Sequence, residues 1–199
     1  MPARRRTFDA VVRSAEAALR RHRVDHVFVG AISVAAFGAI RTTTDADVIA
    51  DLQAEQLSPL AAEFRRRGFV VSEEDLRDSL ADGSHCTIED LSSPYRIDLA
   101  PVKDSAGKHA IREHRKVRWR GISLPIAAPE HTVVMKLRYG SEQDIRDALG
   151  ILVRQRGQLD VRRMREFALQ QRVVEALRDL ERQAESLGGS RRQRRRGGS

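Results

Sequence analysis

The segment DADVIADL, residues 45–52, constrains the chain more than any other. It is rich in β-branched residues and alternates, so it reads as a strand. On a strand, residues i and i+2 point to the same side. Asp45 and Asp47 therefore stand next to each other, with Ala46 turned away. Two neighbouring carboxylates repel, and each resists ionising. A divalent cation removes that cost, and hard oxygen donors in this arrangement suit Mg²⁺, with Mn²⁺ as an alternative. A third carboxylate, Asp98, lies on another apolar strand, between Ile97 and Leu99 in RIDLAP. If the two strands are neighbours and the faces match, three carboxylates converge, and such a cluster can orient an in-line attack on phosphorus.

A glycine precedes this pair. In VFVGAIS, Gly30 stands where a short strand gives way to a helix, followed by Ala31 and Ser33. Small residues there let backbone N–H groups and a helix N-terminus approach a triphosphate. Ser33 adds a hydroxyl. Taken singly, each feature has a plainer reading: a surface strand end, a turn glycine, a hairpin Asp facing water. Their order along the chain is the informative part.

Around this nucleus the sequence predicts a helix over 7–21 with Thr7 as N-cap, a strand at 26–30 and a buried helix over 31–40. A helix follows from Pro59 to Arg67, with Ser58 as N-cap, then a short strand at 69–71. Segments 84–91 and 95–102 form a hairpin joined by SSP. Residues 104–115 are polar and ambiguous, and 117–126 are extended. After that only helices are expected: 128–140, 142–155 and one or two more over 161–187. The expected fold class is α+β, a mixed β-sheet flanked by helices. The expected organisation is a basic segment over 1–6, an α/β core over 7–126, a helical part over 127–187 and an Arg/Gly/Ser-rich disordered tail over 188–199.

Composition narrows the function classes. The 199 residues carry 36 basic and 28 acidic side chains, a net charge of +8. Arg4 to Arg6 supply three of these charges and the arginines between 191 and 196 supply five, so residues 7–190 are neutral. The basic ends can attract phosphates, or be no more than a solvated tail or an expression scar. The body shows no basic face of its own. The single Cys excludes an intramolecular disulfide framework. The longest uncharged run, Val27 to Ile40, has 14 residues, short of the ~20 that span a bilayer. The N-terminal MPARRR is followed by Asp9, Arg13 and Glu16 rather than an apolar stretch. The expectation is a soluble, cytoplasmic protein with no membrane partner. The histidines show no HExxH or other metal spacing, and Trp119 suits core or hairpin packing better than base stacking.

The run VGAISVAAFGAIRTTTDADVIAD, residues 29–51, resembles the nucleotidyltransferase superfamily related to DNA polymerase beta. The pattern is an apolar residue, Gly, then Gly or Ser, a gap and Asp-x-Asp or Asp-x-Glu, here matched by Gly30, Asp45 and Asp47. Within that superfamily the chain is most similar to bacterial proteins of the AbiEii and MenT toxin type. Their frame is matched by Gly38, Arg41, Thr43, Asp45 and Asp47, and again by Pro129, Glu130, Lys136, Leu137, Asp144 and Asp147. Ala31 departs from the usual Gly or Ser. The resemblance implies transfer of an NMP from an NTP to an acceptor, with release of pyrophosphate. Asp45 and Asp47 would hold the metal, and Asp98 would complete a second metal site and help deprotonate the acceptor. Gly30, Ala31, Ser33, Arg41, Thr43 and Lys136 would bind the nucleotide. Arg41 would clamp a phosphate or pair with Asp45 or Asp98, and Thr43 could instead only brace the strand entry. Asp144 and Asp147 would orient Lys136 or Arg41, or lie on a solvated face. The acceptor implied is tRNA or another RNA, with an antitoxin protein as partner. A small drug-like molecule, as in aminoglycoside or lincosamide nucleotidyltransferases, a protein side chain, or an inactive nucleotide-binding relative are the alternatives.

Overall fold

A computed structural model describes residues 5–40 and 42–196, with side chains to residue 187. The chain divides into two compact units. One comprises Met1–Ile32 and Thr42–Ala127, the other Ser33–Arg41 and Ala128–Ser199. The helical unit thus takes in the chain segment just before the Asp-x-Asp strand as well as the C-terminal helices, a grouping that reading in chain order does not anticipate.

The first unit is α+β, as expected. Its strands are β1 (Asp25–Phe28), β2 (Asp45–Asp51), β3 (Phe69–Val70), β4 (Cys86–Asp90), β5 (Arg96–Pro101), β6 (Arg115–Trp119) and β7 (Ile122–Ile126). They form one mixed sheet in the order β3-β4-β5-β2-β1-β7-β6. Strand β2 is central, antiparallel to β1 and parallel to β5. One face of β2 and β5 carries Ala46, Val48, Ala50, Ile97 and Leu99, all buried. Helix α1 (Phe8–Arg21), with Thr7 as its N-cap, contributes Val11, Val12, Ala15, Ala18 and Leu19 to the core. On the other face, Gly107 of α5 (Ser105–Arg112) lies against Ile49, which lets the helix sit close to the far end of β2. The near end of that face, at Asp45 and Asp47, is only partly buried.

Three elements differ from the sequence expectation. Helix α3 spans Ala54–Arg66, so it begins before Ser58 and holds Pro59 inside it. The earlier start is secured by Gln56, whose Oε1 accepts the Gln53 N–H at 3.0 Å and whose Nε2 donates to the His22 carbonyl at 3.1 Å. Leu57, Leu60, Ala61 and Phe64 then bury one stripe. Helix α4 (Glu73–Asp82) was not expected, although Ser72 caps it, three acidic residues fill its first turn and Gly83 ends it in the left-handed region. Residues 117–126 turn back at Arg120 and Gly121, both at positive φ, and make the β6–β7 hairpin.

The second unit is helical. The body of α2 (Gly30–Phe37) belongs to it, with α6 (Pro129–Tyr139), α7 (Glu142–Arg154), α8 (Val161–Gln170) and α9 (Val174–Arg196). Gly38 packs against Ile151, where an added Cβ would stand 2.9 Å from its Cγ1. The described backbone of α9 runs past Leu187; the tail expected over 188–199 has its side chains outside the described residues. Among the described residues no helix is long and apolar enough to cross a membrane.

Candidate active site

The parallel pairing of β2 with β5 sets the site. Asp47 is the register partner of Asp98, and Asp45 that of Arg96. In neighbouring strands, register partners project to the same face, so Asp45, Asp47, Arg96 and Asp98 share one face. The antiparallel β4 adds Thr87 opposite Asp98. The order of strands thus gathers the three carboxylates that the sequence spreads over 54 positions.

Asp45 and Asp98 are held by side chains, and Asp47 through its backbone. Thr44 donates its hydroxyl to Asp45 Oδ1 at 2.8 Å, and Thr87 donates to Asp98 Oδ1 at 2.8 Å. Thr43 braces the strand entry: its hydroxyl donates to the Asp45 carbonyl at 3.1 Å and accepts from the Asp45 N–H at 3.2 Å. The backbone carbonyl of Asp47 accepts the Val29 N–H at 3.0 Å. That bond brings the turn before α2 alongside the Asp47 side chain. Gly30 opens α2 at φ +58°, and a Cβ there would lie 2.8 Å from Asp47 Cγ. The position therefore requires glycine twice over, for its backbone conformation and for the space the carboxylate fills. Ala31 is buried behind it.

Arg96 is the residue that the sequence did not single out. Its guanidinium lies 3.0 Å from Asp45 Oδ2 and 3.7 Å from Asp98 Oδ2, bridging the two carboxylates. Its side chain is 46% exposed, so each pair is screened and contributes about 0–1 kcal/mol. The i, i+2 spacing from Asp98 was visible in the sequence; the register that sets Arg96 beside Asp45 was not. The charge on Asp98 is felt at Cys86 on β4, whose thiol is pushed up to about 11 by burial first, then by the charges of Asp75 and Asp98.

Three carboxylates on one face of neighbouring strands suit a hard divalent ion by donor chemistry. Their present spacing is a separate matter. Among the described residues no group of three His, Cys, Asp or Glu is disposed as it stands to hold a metal ion, and between Asp45 and Asp98 the place of a shared cation is taken by Arg96.

The remaining predicted residues fall elsewhere. Arg41 lies outside the described residues. Ser33 is buried in the helical unit, its hydroxyl 2.5 Å from that of Thr132 on α6. Lys136, also buried there, has Nζ 2.6 Å from Asp144 Oδ1 and 3.3 Å from Asp147 Oδ2. The expected orienting role of Asp144 and Asp147 toward Lys136 thus has a geometric basis. Asp144 is in addition fixed by the Ser141 N-cap of α7, which it reciprocates. Burial opposes its ionisation, but hydrogen bonds from Lys136 and Ser141 and the ammonium charge hold its carboxyl below the usual value.

No family model matches the sequence. No curated protein matches it either. Solved structures do match in fold. The antibiotic-resistance factor ANT(2'')-Ia superposes in solution with a TM-score of 0.56 and 12% identity, over 85% of this chain and 93% of that one. Its complex with adenylyl-2''-tobramycin gives 0.52 and 15%, over 81% and 94%. The lincosamide antibiotic adenylyltransferase LnuA, lincomycin-bound, gives 0.51 and 12%, over 74% and 98%. The chain shares the fold of these nucleotidyltransferases over nearly their whole length.

Proposed function

We infer that the protein is a divalent-metal-dependent nucleotidyltransferase that moves an NMP from an NTP to an acceptor and releases pyrophosphate. The observation that carries this reading is the placement of Asp45, Asp47 and Asp98 on one face of the paired strands β2 and β5, with Gly30 against Asp47 at the start of a helix. Fold alone is a weak guide to chemistry, so the weight rests on the site. Asp45 and Asp47 would hold the metal, joined by Asp98. A bound Mg²⁺ supplies charge neutralisation on the phosphates and orients the reacting groups. The N-terminal N–H groups of α2, from Gly30 and Ala31, would donate to phosphate oxygens beside the Asp47 carboxylate. The Asp98 carboxylate accepts the proton of the attacking acceptor group. Lys136 and Ser33 are left out of the phosphate-binding set, since their polar atoms already serve buried partners.

Two acceptor classes divide the reading. The toxin-type frames at Gly38–Asp47 and Pro129–Asp147 favour tRNA or another RNA, with an antitoxin as partner. The fold neighbours favour a small molecule, since ANT(2'')-Ia and LnuA are named for antibiotics. The test is incubation with Mg²⁺ and labelled NTPs, with total RNA in one arm and aminoglycosides and lincosamides in the other. Label should pass to one acceptor class and fall at least 1,000-fold in Asp45→Ala and Asp47→Ala, a barrier increase of about 4 kcal/mol. Nucleotide binding with no transfer to RNA, small molecule or protein would instead mark an inactive relative.

A further inference from the structure

The metal site proposed above has a rival ligand already in place. Asp45 and Asp98 belong to different strands, yet one guanidinium reaches both. Arg96 is fixed in this role by register, because β5 pairs it with Asp45 and places it two residues before Asp98 on the same face. Without a positive charge at this point, three carboxylates on one face of neighbouring strands would repel one another. Arg96 removes that repulsion when no metal is bound. Its two contacts are unequal, 3.0 and 3.7 Å, and the side chain is half exposed. It can therefore leave by rotating into solvent, without opening the core.

We propose that Arg96 is an internal counter-ion that competes with the divalent cation for Asp45 and Asp98, holding the acidic face together in the apo protein and lowering its metal affinity. The inference rests on the metal-dependent reading of the site and adds a residue to it. Arg96 acts through the carboxylates, so it is a positioning residue. Metal binding then requires Arg96 to let go of both carboxylates. The released guanidinium stays tethered beside the site, with its donors turned to whatever anion accompanies the metal.

The test is Mn²⁺ binding without nucleotide, followed by electron paramagnetic resonance of free Mn²⁺, in the wild type, Arg96→Gln and Arg96→Lys. Arg77→Gln serves as a control, since Arg77 pairs with Glu73 on α4. Arg96→Gln should bind Mn²⁺ about tenfold more tightly, a gain of about 1.4 kcal/mol. Arg96→Lys should fall between it and the wild type, since lysine keeps the charge but loses the planar fork. Arg77→Gln should bind like the wild type. In EDTA, Arg96→Gln should melt lower than the wild type, and saturating Mn²⁺ should close the gap. Equal Mn²⁺ affinity in the wild type and Arg96→Gln overturns the competition while leaving the metal site standing. An equal gain in Arg77→Gln reduces the effect to net charge and also overturns it. No Mn²⁺ binding at millimolar concentration by any of the proteins sinks the metal-dependent reading itself.

Discussion

Two of the clusters in which one cation meets more than one carboxylate among the described residues are built in opposite ways. On the sheet face of the first unit, Arg96 faces Asp45 and Asp98, with Asp47 on the same face, and its side chain is 46% exposed. In the helical unit, Lys136 faces Asp144 and Asp147, and its side chain is 11% exposed. The first cluster is acid-rich, open and bridged by unequal contacts. The second is buried and tied into a helix cap. A buried pair is costly to break, because the remaining charge has neither partner nor water. An open one is cheap to rearrange. The contrast suits the sheet face to an incoming ligand and the helical cluster to holding α6 and α7 together.

The largest effect expected from this contrast is on stability. Lys136→Met should cost about 3–5 kcal/mol in urea unfolding by stranding the buried Asp147 and the partly buried Asp144, against less than about 1 kcal/mol for Arg96→Gln. Comparable losses in the two variants would erase the distinction. Next comes Gly30→Ala, which forces a side chain into the left-handed region at a cost of roughly 1–2 kcal/mol. It also pushes the Asp47 carboxylate out of place, so transfer should fall more than tenfold even in protein that remains folded. Intact turnover in Gly30→Ala would show that the Asp47 position is dispensable.

The smallest effect is a pH dependence. Asp144 has its folded pKa held below the ordinary 3.8, so the stabilisation it provides is fully present above that value. It is lost as pH falls through the depressed folded pKa. The advantage of wild type over Asp144→Asn, measured by denaturation, should therefore be constant near neutrality and shrink below pH 3.8. Glu63 in the first unit behaves alike: burial opposes its charge, and Arg67, Arg66 and Arg21 more than offset this. A Glu63→Gln background isolates the Asp144 contribution.

Local signals carried much of the fold. Thr7 caps the helix that starts beside it, and the alternation in 45–51 became β2. What escaped were features fixed by partners distant in sequence. Pro59 looks like a helix start, and only the grip of Gln56 on Gln53 and His22 moves the start back. Helix α4 is the exception, since its cap and acidic first turn are local signals at Ser72–Asp75. For the site, the shared face of Asp45 and Asp47 was legible from the strand alternation, and Asp98 stood out between Ile97 and Leu99. The neighbour that tempers them was not, because the pairing of β2 with β5 is a tertiary fact.

That pairing also guards against misfolding. Were β5 to slip by one residue along β2, Asp98 would turn inward among the apolar side chains, and Ile97 and Leu99 would face water. The penalty for such an error grows with the very charges the proposed chemistry needs. A substitution that neutralises Asp98 would thus remove a fidelity check on strand assembly together with a reactive group.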